Sequence, residues 1–342
     1  MSEETKPTRR PHKATVKDVA ERAGVSISTV SKALSGKGAV RHETRQRVLQ
    51  AAEALKYQSN QLATSLFTGR TDMVGVITGD TFGRLTVPVL LGVIEALAER
   101  EIAMVLCDGR GDPIRELFFT ESLVRRRVDG ILVVGSGASP REPLGADVAT
   151  PVVYALEWST RESDISVVPD DAEGARTAAR HLIATKRRRL AFISGPGKDV
   201  ATKVRLAGTR EVLAEAGGEL VHEPLIGHWT EGWGRQAATQ LLRSGVEFDG
   251  IVCGSDQIAR GVLEVLREHE VRVPQDAGVV GFDNWDVMVE ASRPQLSSVD
   301  LSLNDIGRTA AQLLLKAIDE DVAPGIHHID CQLMPRESTA PA

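Results

Sequence analysis

Apolar residues near the start of the chain recur with the period of a helix. Val16, Val19, Ala20 and Ala23 fall at the i, i+3, i+4, i+7 spacing of one buried face. Thr15 stands at the N-cap position with Asp18 as a capping-box partner, and Gly24 supplies the positive-φ residue that ends the helix. Ser26 caps a second helix that turns Val30, Ala33 and Leu34 inward and Ser28, Ser31 and Lys32 outward. Two short helices joined by a glycine turn, the second with a polar and cationic face, predict a helix-turn-helix; an ordinary αα-hairpin shares the pattern. After the loop SGKGAV, residues 41–57 predict a third helix with Val48, Ala51, Ala52 and Leu55 as its stripe.

Residues 58–72 contain helix formers but no stripe wide enough to dock on a core. An isolated helix of under ~12–15 residues is marginal in water, so this linker is expected to become helical only when a partner buries it. From Met73 the pattern changes to near-continuous apolar runs alternating with amphipathic helices. The runs are MVGVIT, IAMVLCD, VDGILVVG and PVVYAL, then RLAFISG, FDGIVCGSD and AGVVGFD. Helices are expected over VPVLLGVIEALAER, from Arg115 to Arg127, over AEGARTAARHLI and from about Lys203. Two such series predict two doubly wound lobes of parallel sheet covered on both faces, with ligands at the carboxyl ends of the strands.

Composition sharpens this division. Residues 1–70 hold 13 Lys/Arg against 6 Asp/Glu, and the remainder 28 against 41, within a net charge of −6. A basic head on an acidic body favours a polyanion bound at the head. Arg41, Arg45 and Arg47 crowd the start of the third helix against its dipole, which suits nearby phosphates or a solvated face. The three cysteines, Cys107, Cys253 and Cys331, are scattered through apolar runs and read as core thiols, not a disulfide framework or zinc site. No run approaches the ~20 apolar residues of a membrane span, and the polar N-terminus lacks the apolar middle of a signal peptide; a cytoplasmic protein without cofactors is expected.

The N-terminal hairpin, followed by VRHETRQRVLQAAEALKYQSNQLATSL, resembles the lactose-repressor/galactose-repressor (LacI/GalR) family of bacterial transcription regulators. Thr44, Arg45, Ala51, Ala52, Leu55, Tyr57, Asn60, Ala63 and Leu66 match its habit, and the resemblance runs from about Thr15 to Ser338. It implies that Ile27, Ser28 and Lys32 face base edges in the major groove, while Thr15, Ser26, Thr29, Ser31, Thr44 and Asn60 contact phosphates. Ile27 could instead belong to the hairpin core. Residues 60–70, with Ala63, would fold into a hinge helix, and Leu66 would wedge into the minor groove. Three departures stand out: Arg41 replaces a small capping hydroxyl, Ser59 a proline, and TKRRR (185–189) a Gly-His pair, this last reading as a surface change.

The second half resembles periplasmic sugar-binding proteins, to which that family's core is similar. Carried over, Arg205, Trp229, Ser255, Asp256 and Asp283 would hold an effector, with Phe82, Tyr154, Glu157 and Trp158 as weaker candidates at strand ends. A guanidinium, a carboxylate and an aromatic face suit a sugar. The implied architecture is a headpiece (1–59), a hinge (60–70) and a periplasmic-binding-protein-like core (71–342). Within the core, lobe one would take 71–168 plus 299–322, and lobe two 169–298 plus 323–338. The implied protein is a homodimeric repressor of sugar-utilisation genes on a pseudo-palindromic DNA operator; PRESTAPA offers no leucine heptad for a tetramer. The alternative is an enzyme of carbohydrate or nucleotide metabolism with a fused DNA-binding head. GSGASP and GPGKDV complete no phosphate-binding fingerprint, and adjacent His327 and His328 in a strand would point to opposite faces.

Overall fold

A computed structural model describes residues 14–35, 40–57, 69–80, 83–145 and 148–340. The chain divides into two compact units, Met1–Thr71 and Asp72–Ala342. In the first, α1 (Val16–Ala23), α2 (Ile27–Ser35) and α3 (His42–Ala54) pack around Val19, Ala23, Val30, Ala33, Val48 and Ala52. The expected capping box is present: the Thr15 hydroxyl accepts from Asp18 N (3.3 Å), and the Asp18 carboxylate accepts from Thr15 N (2.7 Å). Gly24 takes φ 66° and closes α1. Arg41 precedes α3 without a side-chain cap, so this helix lacks the hydroxyl that usually satisfies its first amides.

The second unit contains two six-stranded sheets. The first is built from β1 (Met73–Thr78), β2 (Ala103–Asp108), β3 (Gly130–Val134), β5 (Val152–Ala155), β7 (Ile165–Pro169) and β13 (Gly325–Ile329). Its order is β13-β7-β5-β3-β1-β2, all parallel. Helices α4 (Thr86–Ala98) and α11 (Leu303–Asp319) cover one face of it and α5 (Pro113–Arg125) the other. The second sheet takes β8 (Leu190–Ser194), β9 (Leu225–Ile226), β10 (Gly250–Cys253), β11 (Gly278–Phe282), β12 (Ser297–Asp300) and β14 (Gln332–Met334) in the order β14-β12-β11-β10-β8-β9. It is parallel except for edge strand β14. Its helices are α6 (Asp171–Ala184), α7 (Val200–Glu215), α8 (Glu231–Arg243), α9 (Asp256–Glu268) and the short α10 (Asp286–Ala291). A small ribbon, β4 (Pro140–Arg141) with β6 (Trp158–Ser159), stands apart.

Two expectations need correction. The segment 323–338 does not all belong to lobe two: Gly325–Ile329 runs parallel to β7 as the outer strand of the first sheet, and the chain crosses over only for β14. Likewise β12 stays in the second sheet through Asp300. The chain therefore passes between lobes three times, after Pro169, Asp300 and Ile329. The TKRRR segment is not wholly surface either. Arg187 is 6% exposed and donates to the carbonyls of Pro274 (2.7 Å) and Thr339 (3.3 Å), pinning the C-terminal segment onto lobe two. Two helix starts also differ from expectation. Asp112 caps α5 with Pro113 at its first position, and α7 begins at Val200, after Asp199.

Candidate functional site

The head presents one surface of small polar side chains and cations. Ile27, Ser28, Ser31 and Lys32 are all exposed on α2, and Ile27, at 54% exposure, is not hairpin core. The Ser26 hydroxyl accepts from Thr29 N (3.2 Å) and pairs with the hydroxyls of Ser28 (2.9 Å) and Thr29 (2.8 Å). Those contacts orient a cluster of hydroxyls at the N-terminus of α2, where the helix dipole favours an anion. Thr15 is exposed at the start of α1, and Thr44 is half-buried in the first turn of α3. Asn60, Ala63 and Leu66, on the expected hinge, lie outside the described residues, as does Phe82.

In the core, a cavity of about 490 Å³ opens between the lobes at the carboxyl ends of their strands. Lobe one contributes Arg84, Leu85, Ser136, Ser139 and Leu156; lobe two contributes Asp171, Asp199, Arg205, Trp229, Gln257 and Asp283. Arg205 on α7 is the best-anchored polar group. Its Nη2 lies 2.6 Å from Asp171 Oδ1, its Nη1 donates to Gly254 O (2.6 Å), and its guanidinium stacks 4.3 Å from the Phe282 ring centroid. Burial alone would depress its pKa, but the carboxylates of Asp171 and Asp283 outweigh that and raise it, so the guanidinium stays charged.

Asp283 follows β11 at φ 103°, and Asn284 follows at φ 48°, two left-handed residues in succession. The cost of that backbone is offset by Asp283 N donating to Val299 O (2.9 Å), Asn284 N to Ser298 Oγ (3.0 Å) and Asn284 Nδ2 to Asp300 Oδ2 (2.9 Å). Burial pushes the Asp283 carboxyl up, against the opposing pull of Arg84 and Arg205. Trp229 Nε1 donates to Asp199 Oδ2 (2.7 Å), and its ring lies on Gly195, where a Cβ would come within 2.2 Å of it. Only glycine leaves that ring its place against the cavity.

Arg205, Trp229 and Asp283 therefore converge on the cleft, and five other candidates do not. Ser255 is fully buried and caps α9, accepting from Ile258 N (3.4 Å). Asp256 is fully buried, its oxygens accepting from Trp285 N (2.8 Å) and Ser298 Oγ (2.6 Å); burial and the neighbouring Asp283 push its carboxyl well up. Tyr154 points away from the cleft, its hydroxyl accepting from Leu144 N (2.9 Å) beneath the Arg141 guanidinium. Trp158 is half-buried on β6, outside the cavity lining. Glu157 faces a second space in lobe one, with Arg141 and Glu116. Arg84, Asp171 and Asp199 also line the cleft and are not among the residues the sequence predicts. Asp171 and Asp199 stood at helix starts, a signal that could have found them, whereas Arg84 lies in a loop with none.

Cys107, Cys253 and Cys331 are free and buried, and burial pushes the Cys331 thiol up to about 12. Among the described residues no cluster of metal-ligating side chains occurs, and no helix is long and apolar enough to cross a membrane.

Comparison with known proteins agrees with both halves. Residues 15–60 match the bacterial regulatory proteins of the lacI family, and residues 179–339 match the periplasmic binding protein-like domain. The HTH-type transcriptional regulator CelR of Thermobifida fusca is 34% identical over 340 residues, covering 96% of this chain and 99% of its own. The HTH-type transcriptional repressor PurR of Mannheimia succiniciproducens is 30% identical over 89% of this chain and 92% of its own. A solved transcriptional regulator CelR–cellobiose complex superposes with a TM-score of 0.67 at 32% identity, covering 95% of this chain and all (100%) of that one. The lac repressor dimer bound to operator and an anti-inducer superposes at 0.76 over 96% of this chain and 99% of its own, and at 23% identity speaks for the fold.

Proposed function

This chain belongs to the lacI family of bacterial regulatory proteins, and on that footing we propose that it is a homodimeric, cytoplasmic repressor whose operator affinity is set by a small sugar between its core lobes. The observation that carries the reading is the cleft cavity, where side chains of both lobes meet around Arg205, Trp229 and Asp283. A ligand that touches both lobes binds one relative arrangement of them better than another, and shifts the population by that difference in affinity. The named relatives include regulators and repressors, and one was solved with cellobiose, which supports a saccharide here.

On the DNA side, the reading assigns base contacts to Ile27, Ser28 and Lys32 and phosphate contacts to Thr15, Ser26, Thr29, Ser31, Thr44 and Asn60. Residues 60–70, with Ala63 and Leu66, act as the joint that orders on the operator in one lobe arrangement. Two heads double the contacts across a pseudo-palindrome. Support for the dimer comes from an exposed apolar rim on lobe one, with Leu91 and Ile94 on α4, Leu106 on edge strand β2, and Ile114 and Phe118 on α5. The test is operator binding by the purified protein, first across a salt series and then with each saccharide that raises its melting temperature. A ligand that releases DNA supports the repressor. Failure to bind any duplex in dilute buffer, with every saccharide tried, removes the reading.

A further inference from the structure

Resting on the carbohydrate reading of the cleft, we propose that the effector is an uncharged oligosaccharide of at least two units, one in the cleft and the next in a second space built by lobe one. That space, about 830 Å³, lies among the loops that follow β1, β2, β3 and β5, and Ser136 lines both it and the cleft cavity. Each space falls within the ~300–1,000 Å³ of ligand pockets, so the two together have room for a longer ligand than the cleft alone.

The inner wall of the second space is a nearly buried trio. Arg141 Nη2 lies 2.5 Å from Glu116 Oε2 and its Nη1 3.4 Å from Glu157 Oε2, with all three side chains no more than 17% exposed. Glu157 Oε1 in turn accepts from Ser136 N (3.4 Å), so the trio is tied to the residue that joins the two spaces. Carboxylates fixed on a guanidinium are rigid acceptors, which is what sugar hydroxyls need.

Charge decides between a neutral and a phosphorylated ligand. The cleft lining sets Arg84 and Arg205 against Asp171, Asp199 and Asp283; the second space sets Arg110 and Arg141 against Asp80, Glu116, Glu142 and Glu157. Each of these four arginines already holds a carboxylate: Asp283, Asp171, Asp108, and Glu116 with Glu157, respectively. Asp199 keeps a carboxylate beside the N-terminus of α7, where that helix would otherwise attract an anion. A phosphate group would meet paired cations and surplus carboxylate, whereas a polyol meets acceptors.

The test is calorimetric titration of the full-length protein with glucose, cellobiose, cellotriose, maltose, maltotriose and glucose 6-phosphate. One disaccharide should bind at least ~10-fold tighter than glucose, and glucose 6-phosphate no tighter than glucose. Glu142→Trp, at an exposed position lining the second space, should abolish the disaccharide advantage while leaving glucose affinity within about twofold. Should that variant fail to fold, Glu157→Gln keeps the volume, removes one charge and should weaken the disaccharide alone. Equal affinity for glucose and the disaccharides, preference for the phosphate, or equal loss of both ligands in Glu142→Trp overturns the second space and leaves the cleft reading standing. Binding of operator but of none of the six saccharides overturns both.

Discussion

Arg84 and Asp283 form an ion pair across the cleft. Arg84, just before α4 in lobe one, donates through Nη1 to Oδ2 of Asp283 at the end of β11 in lobe two. Asp283 is 4% exposed at its side chain and Arg84 21%, so the contact is shielded from water and from salt on the lobe-two side. The same carboxylate also lies in the field of Arg205. A ligand in the cleft therefore meets a contact that already ties the lobes together, and any hydroxyl that takes a share of Asp283 changes how strongly they are tied.

Replacing Arg84 with Met should destabilise the core, because removing one partner of a buried pair commonly costs ~3–5 kcal/mol. The loss should depend on pH. Asp283 already has its pKa raised by burial, and loss of Arg84 takes away the first opposing influence and raises it further. A carboxyl whose folded pKa is raised costs nothing below the ordinary carboxylate range, and costs progressively more as pH climbs from that range to its folded pKa, where the cost levels off. Urea unfolding at pH 5 and pH 7.5 should thus show the larger deficit at the higher pH. An equal deficit at both would mean that Asp283 does not carry the effect.

Asp256 allows a related measurement beneath the cleft. Burial and Asp283 push its carboxyl well up, so between the ordinary carboxylate range and its folded pKa the folded state holds more protons than the unfolded one. Stability contributed at this position must then fall as pH rises through that window. Asp256→Asn retains an acceptor for Trp285 N, and the Ser298 hydroxyl can turn to accept from the new amide. The variant should gain on the wild type as pH rises, and parallel stability curves would contradict the assignment.

Helix contact in lobe two rests on glycine. At Gly234 on α8 a Cβ would come 2.1 Å from Ile258 O on α9, and at Gly261 on α9 one would come 2.1 Å from Glu231 O, so backbone meets backbone. Gly234→Ala should cost ~1–3 kcal/mol or more, since neither carbonyl can yield without moving its helix. Gly232, two residues earlier in α8, has nothing within 4 Å of its Cβ position. There the same substitution should stabilise by up to ~1 kcal/mol through the unfolded chain. Thermal melts of the two variants should move in opposite directions; two decreases would put the cost in the helix and not in the crossing.

How far such features were legible in the sequence depends on whether their signal is local. The head was legible because capping, turn and stripe all fall within twenty residues, down to the Thr15–Asp18 box. Arg205 and Asp283 were legible by resemblance, but Arg84 was not: it has no periodic neighbours, and its partner is 199 positions away. Tyr154 misled because a strand end offers two faces, and its side chain took the one under Arg141. Ser255 and Asp256 misled because a helix start needs a cap whether or not a ligand is near. The lobe of β13 was illegible for a topological reason. The apolar pattern of a strand says that it joins a sheet, and in a chain that crosses between two sheets three times it does not say which.

At the head, Lys32 is an exposed cation on a helix face otherwise lined with Ser28 and Ser31. If it reads a base, Lys32→Ala should weaken operator binding by ~1–3 kcal/mol and relax selectivity at one base-pair position. If it holds only a phosphate, the variant should lose affinity for operator and random duplex alike, and the salt slope should fall by about one. Titration of both duplexes across a salt series separates the outcomes.

The apolar rim of lobe one gives the proposed dimer a testable link to DNA binding. Leu91 is 51% exposed and Phe118 59%, on helices that flank the edge strand β2, itself showing Leu106 at 40%. An edge strand flanked by exposed apolar side chains on both sides invites a second copy, because covering that apolar surface removes it from water. A charge at the centre of such a contact must be desolvated without a counter-ion, which opposes association far more than it disturbs an exposed position in the monomer. Leu91→Asp and Phe118→Asp should each give a folded monomer by analytical ultracentrifugation at micromolar concentration. Operator affinity should collapse, because one head alone makes half the contacts, while saccharide affinity in the cleft stays near that of the wild type. If either monomer keeps full operator affinity, pairing through this rim is not what brings two heads to the DNA.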